Sequence, residues 1–155
     1  MQNKKKLIRE QLDETLKRFS LLKSVNPPRK GWLRAIRDAF GISTRQLGDR
    51  LGVSKSRITR IEQDELSGSV TLKTMRRMAE GLDCVFVYGF VPRKTLEDTL
   101  RNQAIYVAEK RMKRTVHTMA LEDQGITEAE QKKAFDAIVE ELIRTTPKSL
   151  WEVDK

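Results

Sequence analysis

The sequence predicts a mainly α-helical protein, a bundle of short helices with one short strand and with flanking N- and C-terminal helices. Three observations carry that fold class. Apolar residues recur at three- and four-residue steps through most of the 155 residues, the spacing of an amphipathic helix. Breakers punctuate that pattern at Asn26-Pro27-Pro28, Gly52, Ser67-Gly68-Ser69, Gly125 and Pro147. A single run, Cys84 to Val91, switches to β-branched and aromatic residues and reads as a strand.

The first element runs from Lys4 to Lys23, with Ile8, Leu12, Leu16, Phe19 and Leu22 on one stripe. Two prolines stop it, so residues 1–26 form an N-terminal amphipathic helix. A second helix follows over Gly31–Phe40, with Trp32 at its start and Leu33, Ile36 and Phe40 facing inward. Residues Thr44 to Gln63 then have the make-up of a helix-turn-helix. Ser43 with Gln46 is a capping box, stapled by Ile42 and Leu47. Leu47 and Leu51 line the inner face, and Gly48 is the small residue where the next helix crosses. Gly52 sits at the turn, where the backbone needs positive φ. Ser54 caps the second helix, whose apolar positions are Val53, Ile58 and Ile61.

When Ile58 and Ile61 turn inward, Lys55, Ser56, Arg57, Thr59 and Arg60 remain outside. Cations and hydroxyls on such a helix suit the edges of bases in a DNA major groove. The plain alternative is a helical hairpin with a solvated charged face. Turn glycine, caps, apolar spacing and basic exposure coincide here, which favours the DNA-reading module.

Charge distribution agrees. The whole chain carries a formal +9, and from Arg29 to Arg60 nine Lys and Arg stand against Asp38 and Asp49, a local +7. That concentration is the footprint of a phosphate-backbone binder. Beyond Ala120 nine acidic residues face five basic ones, which suits protein contacts better than DNA.

Thr71 caps a further helix with Leu72, Met75, Met78, Ala79 and Leu82 at helical steps, a methionine stripe of the core type. The helix-turn-helix domain is expected over 29–83, and the strand over 84–92. A lone strand needs a partner for its backbone. Three outcomes are open: pairing with the same strand of a second protomer, pairing with a partner protein, or burial as an extended segment. The first is favoured, because it supplies the two-fold axis common to such DNA readers. A C-terminal helical region, 93–155, completes the chain. Its long helix carries the stripe Leu96, Leu100, Ala104, Val107, Met112, Val116 and Met119, with Lys110, Arg111, Lys113 and Arg114 on the far side. Thr127 and Glu130 open the last helix, through Ala134, Ile138 and Leu142. Leu150-Trp151 is a docking anchor or a loose tip.

Cys84 and His117 are the only residues of their kinds, so neither a disulfide framework nor a thiolate metal cluster is expected within one chain, and no cofactor is implied. There is no glycine-rich phosphate loop, and no nucleophile–base pair can be assembled, so an enzyme is not expected. The longest apolar run, Cys84–Val91, is too short to span a bilayer, and a soluble cytoplasmic protein is the expectation.

From Trp32 to about Leu82 the chain resembles the lambda-repressor-like, XRE-type DNA-binding domain, through Leu47-Gly48, Gly52-Val53-Ser54, Ile58 and Ile61-Glu62. The resemblance implies that Lys55, Ser56 and Arg60 reach base edges, with Thr59 against a thymine methyl. It implies that Arg45 and Arg57 clamp phosphates. Where many members carry Gln, this chain has Thr44, whose hydroxyl can touch a phosphate at shorter reach. It also implies a structural pair between Arg37 and Glu62, fastening helix to helix. The whole layout is similar to the family called mobile mystery protein A, which implies a regulator encoded beside a Fic-domain partner in a toxin–antitoxin-like operon; the homodimer is expected from the strand pairing above. Some Fic antitoxins inhibit through Ser/Thr-x-x-x-Glu followed by Gly or Asn. Here Arg76 precedes Glu80-Gly81, so that motif is lacking.

Overall fold

A computed structural model describes residues 2–121 and 127–152; the side chains of residues 2, 3, 116 and 119–121 lie outside the description. The described residues are helical and contain no strand. Helices α1 (Gln2–Lys17), α2 (Trp32–Ala39), α3 (Thr44–Leu51), α4 (Lys55–Ser67), α5 (Leu72–Gly81), α6 (Leu96–Leu121) and α7 (Glu128–Thr145) are joined by irregular segments and by 3-10 turns at Ser20–Ser24 and Lys148–Trp151. They form two compact units, residues 21–89 and residues 1–20 with 90–155.

In the unit of residues 21–89, Leu33, Leu47, Ile58, Ile61, Met78 and Leu82 make the buried core. Ile36, Ile42, Leu51, Val53, Val70, Met75 and Cys84 close around it. Local chemistry sets the helix ends. The Ser43 hydroxyl accepts from the Gln46 amide at 3.1 Å, and the Gln46 side chain accepts from Ser43 N–H at 2.8 Å, a complete capping box. Ser54 caps α4 by accepting from Arg57 N–H at 3.2 Å. At the end of α3, Gly52 has φ 65° and ψ 36°, and its neighbour Val53 donates back to Gly48 O at 2.9 Å. This is a Schellman stop, built on a left-handed residue that glycine occupies without steric cost. The start of α2 is finished from farther away. The Glu65 carboxylate accepts from Trp32 N–H at 2.8 Å and Leu33 N–H at 3.0 Å, satisfying two amides that the helix itself cannot.

Gly48 is set by a different constraint, the close approach of backbone. A Cβ there would stand 2.5 Å from Val53 O, and main chain cannot swing away as a side chain can. Gly48→Ala is therefore expected to force α3 and α4 apart and to cost about 1–3 kcal/mol, the range for overpacking a dense core. Urea unfolding checks this, and an unchanged midpoint would contradict it.

One expectation is corrected in this unit. Phe40 does not face the core but is 62% exposed. The chain leaves α2 at Phe40, and the next inward position passes to Ile42. The expected strand Cys84–Pro92 carries no ladder here: among the described residues no second segment lies alongside to pair with it.

The other unit has its own core of Leu100, Ala104, Ala108, Val139, Leu142 and Leu150. Small Ala104 and Ala108 let α7 approach α6 closely. The N-terminal helix, set apart in the sequence reading as residues 1–26, packs here against α6. Asp13 accepts from Leu96 N–H at 2.7 Å and caps α6, while Arg9 pairs with Glu97 at 2.7 Å. Thr127 and Glu130 form the capping box of α7, and the Thr127 amide and hydroxyl hold the Glu130 carboxyl below its ordinary value. Phe135, Ile138, Val139, Leu142 and Ile143 supply the inner side of α7, while Ala134 is exposed. Leu150 is the buried anchor, its carbonyl held by Gln103 at 2.7 Å, and Trp151 stays exposed. The break at Gly125 and the side chains of Val116 and Met119 lie outside the described residues.

Candidate nucleic-acid interface

The second helix of the pair, α4, has one face consumed by the core. Ile58 and Ile61 are buried against Leu47 and Leu33, so the helix cannot rotate about its axis. Its outer face is thereby fixed. Lys55, Ser56, Thr59, Arg60, Gln63 and Asp64 line one shallow groove along it. The spacing 56, 59, 60, 63 is one stripe of a helix. All four sequence-expected base readers are thus brought together on a single surface.

What those groups offer differs. Lys55 and Arg60 have no ion-pair partner among the described residues, so both cations are available to a ligand. The Thr59 hydroxyl donates to Lys55 O at 3.2 Å, leaving its methyl and oxygen lone pairs outward. The Ser56 hydroxyl lies 3.1 Å from that of Ser54. Gln63 was missed by the sequence reading. Its side chain makes no hydrogen bond among the described residues, and its amide could grip adenine as a donor–acceptor pair. The signal was its place four residues after Thr59, three after Arg60.

The three expected phosphate contacts do not share that groove. Thr44 is half-buried at the first turn of α3. Arg45 is exposed and stands 3.9 Å from Asp49, an i,i+4 pair of little strength in water. Arg57 turns to the other side of α4, into a depression shared with Lys73, Thr74 and Arg77. This second cationic edge escaped the sequence reading as well, because α4 and α5 are brought together only by the fold. Arg77 is partly committed there, since its guanidinium also donates to Leu51 O and so closes an open carbonyl of α3.

Arg37 and Glu62 lie beneath this surface. Arg37 Nε donates to Glu62 Oε1 at 2.6 Å and Nη2 to Oε2 at 3.3 Å, a two-armed pair with both residues more than nine-tenths buried. Nη1 donates to Ile42 O at 2.9 Å, so one guanidinium ties α2, the start of α3 and α4 together. The hydrogen bond to Glu62 raises the Arg37 pKa against the lowering effect of burial. Neither group is free to reach DNA. Asp38 meanwhile draws in Lys30 at 3.7 Å and Arg34 at 3.8 Å, which tempers the positive field on α2 but leaves α4 untouched.

No helix among the described residues is long and apolar enough to cross a membrane. Residues 33–86 match the family model described as "Helix-turn-helix", about a third of the chain. Searches of the curated proteins and of the solved structures find no match. The chain therefore carries a helix-turn-helix DNA-binding domain over residues 33–86, of the kind found in transcription regulators.

Proposed function

We propose that this protein is a sequence-specific double-stranded DNA-binding regulator, acting as a homodimer that represses its own operon. The observation that carries the reading is the outer face of α4. Lys55 and Arg60, without ion-pair partners among the described residues, share one surface with two hydroxyls and the Gln63 amide, on the second helix of a helix-turn-helix. Lys and Arg suit guanine, Gln suits adenine, and Thr59 suits a thymine methyl. Arg45, Arg57 and Lys73 flank that surface and would neutralise backbone phosphates without reading sequence. Two such helices about 34 Å apart would enter successive major grooves and cover a promoter.

The finer expectation, a toxin–antitoxin-like operon with a Fic-domain partner, rests on the layout that resembles mobile mystery protein A. A second reading is supported by the separate core of residues 1–20 and 90–155. In it, this unit with its acidic C-terminal part binds the partner protein and acts as the antitoxin, while the helix-turn-helix supplies the autoregulation.

A reporter fused to the chain's own upstream DNA tests the repressor. Supplying the protein in trans should lower reporter output, and the Arg60→Ala variant should restore it. Output indifferent to the protein would remove repression from the account.

A further inference from the structure

We infer that the segment Cys84–Pro92 pairs with the same segment of a second copy as a two-stranded antiparallel ribbon, centred on Tyr88. The inference gives the dimer of the proposed regulator its interface, and in that respect rests on that reading. Its own evidence lies in the segment. Val85, Val87 and Phe90 are 87%, 65% and 84% exposed, an apolar stretch that a monomer leaves in water. Among the described residues, no backbone group from Val85 to Pro92 has a hydrogen-bond partner within the chain. Such an edge is a template for another strand.

The segment already has a strand's two-sidedness. The rings of Phe86 and Tyr88 stack at 6.2 Å with 17° between their planes, close to the separation of successive side chains on one face of a strand. Arg76 of α5 stands 5.6 Å from the Tyr88 ring centroid, and Cys84 packs on the core of its unit. Cys84, Phe86 and Tyr88 therefore face the helices, and Val85 and Val87 face out. A two-stranded ribbon alone is marginal, but this one has a helical layer behind it.

Self-complementarity identifies the occupant as a second copy. With Tyr88 opposite its own counterpart in an antiparallel pair, Phe86 meets Phe90, Val85 meets Val91, and Val87 meets Gly89. Asp83, the left-handed residue (φ 53°) just ahead of the extended run, would come near Arg93 of the other copy at both ends, whereas a parallel pair would bring Asp83 near Asp83. Pro92 selects the phase of the ladder. Placing Tyr88 at a non-hydrogen-bonded pair puts Pro92 at one too, so its missing N–H costs nothing. The inward-bonding residues are then Val85, Val87, Gly89 and Val91, which exchange about eight backbone hydrogen bonds between the copies.

Disulfide trapping of the full chain tests the register, with Cys84→Ser removing the native thiol. In that background Tyr88→Cys places two thiols across the axis, at a Cα separation of about 4.5 Å that a disulfide accepts. Val85→Cys in the same background places them about 20 Å apart. Mild oxidation should convert Tyr88→Cys to a covalent dimer at least ~10-fold faster than Val85→Cys. Light scattering of the unmodified protein at micromolar concentration should give twice the chain mass. A monomeric mass, or equal trapping at both positions, would overturn the ribbon. DNA binding separates the two proposals. A trapped dimer that ignores sequence leaves the ribbon standing without the regulator, and a monomer that selects its operator does the reverse.

Discussion

Glu62→Ala is expected to destabilise the unit of residues 21–89 by about 3–5 kcal/mol, the cost of leaving a buried guanidinium without its carboxylate. Arg37 is already withdrawn from water and keeps only the Ile42 carbonyl and the more exposed Asp38 as partners. At about 4–8 °C per kcal/mol for a unit of this size, the thermal transition should fall by tens of degrees. The paired substitution Arg37→Met with Glu62→Leu removes both charges together and is expected to stay near the parent or exceed it. Urea unfolding followed by circular dichroism measures all three proteins. A mild Glu62→Ala, or a double variant as damaged as the single, would show that the pair is not what joins α2 to α4.

Arg60→Ala is expected to weaken binding to the operator by about 1–3 kcal/mol while leaving binding to random duplex nearly unchanged. The Arg60 guanidinium lies on the outer face of α4 and, among the described residues, has no ion-pair partner to release first. Arg45→Ala should do the opposite. Exposed at the start of α3 and held only loosely near Asp49, Arg45 is placed for phosphate, so its loss should weaken both DNAs alike and reduce the salt slope by about one. Fluorescence anisotropy with the two duplexes distinguishes them. Equal losses on both for Arg60→Ala would take that residue off the base edges.

The helix-turn-helix was legible because its determinants are local. Ser43 and Gln46, Gly48, Gly52 and Ser54 act on residues a few places away, so spacing alone exposes them. What spacing could not show is side chains serving distant backbone. Glu65 caps α2 from 32 residues away along the chain, and Asp13 caps α6 from 83. Asp13 is also a reason the N-terminal helix belongs with the C-terminal helices rather than standing apart. The strand is a related case. Composition reports the preference of Cys84–Val91 for extended backbone, but a ladder exists only with a partner, and the described residues of one chain supply none. Phe40 misled because helical periodicity was carried one residue past the point where α2 stops. At the interface, the stripe through Lys55, Ser56, Thr59 and Arg60 followed from the inward turn of Ile58 and Ile61. Its extension to Gln63 follows the same spacing, whereas Arg57 joins Lys73 and Arg77 only once α5 is in place.

The central claim, that α4 reads DNA sequence, is tested most directly by measuring affinity for the chain's own upstream duplex and for random duplex at about 50 and 200 mM salt. A reader of sequence should prefer the upstream DNA by at least ~10³-fold, a preference that persists at the higher salt while both absolute affinities fall. Equal affinities that vanish together as salt rises would contradict it, leaving a basic surface that holds phosphate and reads nothing.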